Sequence, residues 1–85
     1  MGHVFGPFGQ FYIATYACAL GKRSFIGYAK VCGQRPRSYW DAEGLAKFAG
    51  ETVWPSEGEA VREALGIARD QLANRGLVFR GTASQ

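Results

Sequence analysis

Few residues in this chain of 85 have the means to do chemistry. The only histidine, His3, sits in a glycine-rich N-terminus, and the two cysteines, Cys18 and Cys32, lie in separate apolar stretches. A nucleophile needs a base within hydrogen-bond reach, and no pairing of these residues at a usual spacing supplies one. One histidine and two distant thiols do not make a metal site either. Glu57, Glu59 and Glu63 have the spacing of helix capping and dipole compensation, not that of an acid–base pair. Gly2, Gly6 and Gly9 precede a strand instead of opening a helix, so they are no phosphate cradle. The expectation is a protein without catalytic, cofactor-binding or metal-ligating residues, and not an enzyme.

The most suggestive stretch is Gln34-Arg35-Pro36-Arg37-Ser38-Tyr39-Trp40, where two guanidinium groups precede two aromatic rings. Single-stranded nucleic acid is held by such pairings, with arginine on phosphate and bases stacked on rings. Tyr39 and Trp40 filling the core, with solvated arginines beside them, is the alternative. The charge distribution bears on the choice. The first forty residues hold Lys22, Arg23, Lys30, Arg35 and Arg37 and no acid, a charge of +5, whereas residues 41–85 carry −2, for a total of +3. Such asymmetry fits an anionic partner. Lys22 and Arg23 are nevertheless separated from Arg35 and Arg37 by a strand of about ten residues, roughly 33 Å at about 3.3 Å per residue. Screening falls off within about 8 Å, so the two groups act independently unless an extended ligand bridges them past Lys30.

The elements that position these groups can be read from periodicity. A 47 % apolar composition with twelve aromatic residues in one short chain implies a single folded domain. Residues 11–33 read as a β-hairpin with Gly21-Lys22 as a two-residue type II′ turn. In that register Cys18 faces Phe25 and Cys32 faces Phe11, too far apart for a disulfide. Tyr12, Ala14, Tyr16, Cys18 and Leu20 then share a core face with Phe25, Gly27, Ala29 and Val31. The other face carries Phe11, Ile13, Ile26 and Tyr28, an exposed apolar patch suited to an unknown protein partner or to a second copy of the chain. Coverage of that patch by Phe5, Phe8 or Leu77–Phe79 is the alternative. A three-residue turn would slip the register by one and exchange partners between faces.

A helix is expected over residues 56–75. Ser56 and Glu59 form a capping box, and Val61, Ala64, Leu65, Ala68 and Leu72 make one apolar stripe. Gly76 fits the left-handed position that ends many helices. Between hairpin and helix, residues 34–55 hold a loop and a third strand, for which Ser38–Trp40, Leu45–Ala49 and Thr52–Trp54 compete. Residues 1–9 read as a flexible segment and 80–85 as a frayed tail. The fold class is therefore α+β, a three-stranded antiparallel sheet (the hairpin plus a third strand) packed on one C-terminal amphipathic helix.

No apolar run approaches the length of about twenty residues that a membrane-spanning helix needs, and the N-terminus lacks the cationic and apolar segments of a secretion signal. A cytoplasmic protein with no membrane partner is expected.

The aromatic first strand Phe11-Tyr12-Ile13-Ala14, the second strand Phe25–Val31 and the junction Thr52-Val53-Trp54-Pro55-Ser56 before Glu59-Ala60 resemble small uncharacterised bacterial proteins of β-β-β-α type. This resemblance covers roughly residues 11–75 and implies a fold without an activity. More distantly, the order of elements is similar to the N-terminal domain of HicB-type antitoxins and to double-stranded-RNA-binding domains. The Pro-Gly-Cys segment of the antitoxins is missing after the second strand, and Glu57 and Glu59 stand where an RNA-binding domain begins its last helix with cations. Two function classes follow from the residues: a non-catalytic protein-interaction module using Phe11, Ile13, Ile26 and Tyr28, with self-association as one form of it, or a nucleic-acid-binding protein using Lys22, Arg23, Lys30, Arg35, Arg37, Tyr39 and Trp40.

Overall fold

The computed structural model describes residues 2–42 and 44–84, with side chains as far as Ala73. The chain is α+β with an antiparallel sheet and one C-terminal helix, but the sheet has four strands instead of three. They run β1 (Gly2–Phe8), β2 (Phe11–Gly21), β3 (Ser24–Cys32) and β4 (Gly44–Ala49), in spatial order β1-β2-β3-β4, followed by α1 (Glu57–Ser84).

The additional strand is the N-terminal segment expected to be flexible. Val4 pairs with Ala14 and Phe5 with Ile13, and the register then shifts before Phe8 meets Phe11. Gly6, at φ 130°, and Pro7 lie in that irregularity, and proline is tolerated there because β1 is an edge strand. Gly9 has φ 63° and Gln10 a negative φ. That combination is the one a type II′ turn requires. The Gly-X reversal anticipated at Gly21-Lys22 therefore occurs one hairpin earlier.

Between β2 and β3 the turn residues are Lys22 and Arg23, with Gly21 paired to Ser24 and a register shift between Ala19 and Gly21. Neither turn residue has positive φ. An unprimed turn twists against its flanking strands, and the irregularity absorbs the mismatch. The consequence is a slip of one residue from the expected pairing. Cys18 lies opposite Ile26 and Cys32 opposite Tyr12, and both thiols are free. The expected face of β3 is correct, with Phe25, Gly27, Ala29 and Val31 toward the helix. On β2 the faces are exchanged, so that Ile13, Thr15 and Ala17 lie under α1 while Tyr12, Ala14 and Tyr16 lie on the far side. Phe5, Phe8 and Phe11 also pack on the helix side, not over the second face.

β4 resolves the choice among third-strand candidates in favour of Leu45–Ala49. Trp54 adds a bridge in which its N–H donates to Phe25 O at 2.8 Å and its carbonyl oxygen accepts from Phe25 N–H at 2.8 Å, so the edge of β3 is covered along most of its length. Ser38–Trp40 is a turn. The Ser56 hydroxyl accepts from Glu59 N–H at 3.3 Å and donates to the Glu59 carboxylate at 2.8 Å, a variant of the expected capping box. Past it, Ala60, Val61, Ala64 and Ala68 are buried and Leu65 and Leu72 partly so. The helix runs through Gly76, where the sequence predicted its end, and includes Leu77–Phe79. One glycine costs a helix about 1 kcal/mol relative to alanine, which need not stop it. Gln85 lies outside the described residues.

The close approach of α1 to the sheet depends on small side chains. A Cβ on Gly27 would stand 2.0 Å from Ala60 O and 2.9 Å from Ala64 Cβ. Glycine is required at that crossing.

Candidate functional site

The second face of the sheet is where the sequence-predicted groups meet. After β3, residues 33–42 turn back across this face, and Tyr39 is buried against Ala14 and Cys32 with Val4, Tyr16 and Tyr28 around it. Lys30 fixes the loop. Its ammonium is buried, donates to Tyr39 O at 3.0 Å, and lies 4.2 Å from the centre of the Tyr39 ring and 6.0 Å from that of Trp40. Cationic contacts of this kind with aromatic rings stabilise by about 0.5–2 kcal/mol.

Three rings pack beside it. Tyr16 stacks on Tyr39 at 5.7 Å, while Trp40 meets Tyr16 at 4.8 Å and Tyr39 at 5.1 Å, both edge-on. Trp40 is held on two sides and is still 68 % exposed. A large aromatic side chain that is rigid yet open to solvent has the geometry of a contact anchor or a stacking platform. The Ser38 hydroxyl accepts from Asp41 N–H at 3.3 Å and tightens the turn that presents it.

Arg35 and Arg37 line a cleft of about 630 Å³ with Cys32, Gln34, Asp41 and Leu45. The Arg35 guanidinium lies 5.9 Å from the Tyr12 ring centre. Lys47 stands directly opposite Lys30 in the β3–β4 ladder, on the same face. Like charges in opposed positions destabilise a sheet pair, and an anion is the natural complement.

Burial shapes the two groups deepest in the site. Desolvation pushes the Tyr39 hydroxyl above its ordinary range, and the neighbouring Tyr28 hydroxyl adds to this. Desolvation also pushes the Cys32 thiol up, partly offset by the charge of Lys30 and a backbone hydrogen bond from Ala14. Neither is set up as a nucleophile.

Lys30, Arg35, Arg37, Tyr39 and Trp40 are thus gathered on one face. Lys22 and Arg23 are exposed at the turn between β2 and β3, at the other end of the strands. Of the expected protein interface, Ile26 and Tyr28 lie on this face, whereas Ile13 is fully buried under α1 and Phe11 packs beside it. The one-residue slip is the reason. Tyr12, Tyr16 and Lys47 belong to the site and were missed. The signal that could have found them is Ala17 facing Gly27, because pairing small with small makes the channel an alanine-lined helix needs. No protein-family model, no curated protein and no solved structure matches the chain.

Proposed function

We propose that the protein is a non-catalytic binding module that holds single-stranded nucleic acid on the Trp40 face of its sheet. The observation that carries this reading is the 68 % exposed Trp40 indole, braced by Tyr16 and Tyr39, in the same loop as the cleft lined by Arg35 and Arg37. Bases stack on such rings for about 1–3 kcal/mol each, without regard to sequence. Phosphates would take the two guanidinium groups and Lys47. Lys30 acts from beneath by holding the loop, since its ammonium is already engaged. Lys22 and Arg23 would meet only a ligand long enough to reach the far turn.

The test is titration of the full chain into a labelled oligothymidine at two salt concentrations. Three phosphate contacts predict a log–log salt slope of about −2 for a single strand, and Trp40→Ala weakens binding about five- to hundredfold. Absence of binding at low salt rejects the reading. A second reading, apolar association with a protein or with another copy, is favoured by Ile26 and Tyr28 lying together on this same face. It predicts salt-insensitive self-association, seen by sedimentation and abolished by Ile26→Lys.

A further inference from the structure

The opposite side of the molecule carries an unfilled slot. One helix about 10 Å across covers about two strands spaced about 4.8 Å apart, and here it covers them off centre. α1 packs on β3, β2 and β4, while among the described residues none of its Cα atoms comes within 8 Å of β1. The helix-side face of β1 is left beside it. Two clefts, of about 500 Å³ and 250 Å³, lie along this seam. The first is floored by Phe5, Val61 and Leu65, the second by Phe8 and Leu72. Their helix positions, from Glu57 to Ala73, follow one stripe about 24 Å long at about 1.5 Å per residue.

Arg62 and Arg69 stand on the rim, two helical turns apart on the same stripe, with Arg69 5.3 Å from the Phe8 ring centre. Carboxylates spaced seven residues apart on a second helix would face both guanidinium groups while its apolar stripe fills the floor. From this we infer that the seam between β1 and α1 is a docking groove for an amphipathic helix of another protein, about sixteen residues long, with an acidic edge. A second copy does not offer that helix. The sheet-facing stripe of its α1 is engaged with its own sheet, and residues 71–85 hold Arg75 and Arg80 with no Asp or Glu, so they would meet Arg62 and Arg69 with like charge. The groove is independent of the Trp40 face.

The experiment uses a fluorescent sixteen-residue helical peptide with leucines at i, i+3 and i+4 spacing and glutamates seven apart, and a counterpart with lysines in place of the glutamates. Anisotropy with the full chain should show the glutamate peptide binding about tenfold more tightly, given two opposed pairs at the rim. The double variant Arg62→Glu/Arg69→Glu, altered only at exposed positions, should reverse that preference with its circular dichroism unchanged. Trp40→Ala should leave it intact. Equal binding of both peptides overturns the inference, as does a preference that survives the charge reversal. A chain that is dimeric without peptide, and monomeric in the double variant, would give the groove to a second copy and overturn it too.

Discussion

Gly27→Ala is the sharpest probe of how this fold is held together. A methyl group there would lie 2.0 Å from Ala60 O, 2.7 Å from its carbonyl carbon and 2.9 Å from Ala64 Cβ, whereas ordinary contact begins at 3.4 Å. Two of the three neighbours are helix backbone, so no rotamer change relieves the clash. Either α1 lifts off β3 or the strand bows away, and in both cases the packing of Ala60, Ala64 and Ala68 on Ala17, Ala29 and Val31 loosens. Overpacking of a close-packed core costs about 1–3 kcal/mol. A backbone obstacle puts this substitution at the upper end, about 3 kcal/mol. For a domain of this size each kcal/mol moves Tm by about 4–8 °C, which predicts a loss of about 12–24 °C in a thermal melt followed by circular dichroism. Gly66→Ala is the control, because nothing lies within 4 Å of its added methyl. Relief of the glycine penalty should raise Tm by a few degrees, from about 1 kcal/mol. A Gly27→Ala protein that melts at or above the parent temperature would refute the close helix crossing.

Two further outcomes follow from single side chains. The Glu63 carboxylate accepts from Trp54 Nε1–H at 2.9 Å and from the N–H groups of Glu51 and Thr52 at 3.3 Å each. The Trp54 bond first, then the two backbone bonds, hold its pKa below the ordinary carboxylate range. Because the folded-state pKa is depressed, this stabilisation is complete above the unfolded value of about 4.3 and is lost as pH falls through the folded one. Urea midpoints should therefore drop from pH 7 to pH 3 in the parent, and less steeply in Glu63→Gln. Lys30→Met keeps the length of the buried stem but leaves Tyr39 O with only the 3.3 Å bond from Ala42 N–H, and the lost hydrogen bond costs about 0.5–1.5 kcal/mol. Freed from that anchor, the 33–42 loop should show faster amide exchange at Asp41 and Ala42, whose N–H groups donate within the turn, while exchange in α1 stays as it was.

The helix was legible in the sequence because its signals are local. Ser56 and Glu59 cap it, and the stripe from Val61 to Leu72 declares its buried face within five turns. β2 and β3 were legible as strands for the same reason, through runs of aromatic and β-branched residues. Other features depend on distant contacts. β1 was hidden by Gly2, Gly6 and Pro7, residues that weaken any strand signal, and it exists because β2 offers it an edge to pair with. The path of residues 33–42 across the sheet depends on Lys30, buried beneath Tyr39, and a lysine in a strand ordinarily reads as solvent-facing. The third strand was narrowed to three candidates, among which pairing with β3 rather than propensity decided.

Of these long-range features, the register of β2 against β3 has the largest bearing on function. With the reversal at Gly21-Lys22, Tyr12 and Tyr16 would lie beneath α1, and their hydroxyls would need partners in a helix surface made of alanine, valine and leucine. A buried polar group without a partner costs about 1–3 kcal/mol. Moving the turn to Lys22-Arg23 places Ile13 and Ala17 there instead, both at or near full burial. The same slip gathers Tyr12, Tyr16 and Tyr28 beside Lys30 on the far face, where the 33–42 loop adds Tyr39 and Trp40. A surface that the expected register makes largely apolar, built on Phe11 and Ile13 with Ile26 and Tyr28, becomes one of phenol and indole rings with cations at its border. An apolar patch favours apolar association, whereas rings flanked by guanidinium groups favour stacked bases and phosphate. Under the proposed function, a one-residue choice in a hairpin, made by core packing, thus shifts the preferred partner from an apolar protein surface to nucleic acid.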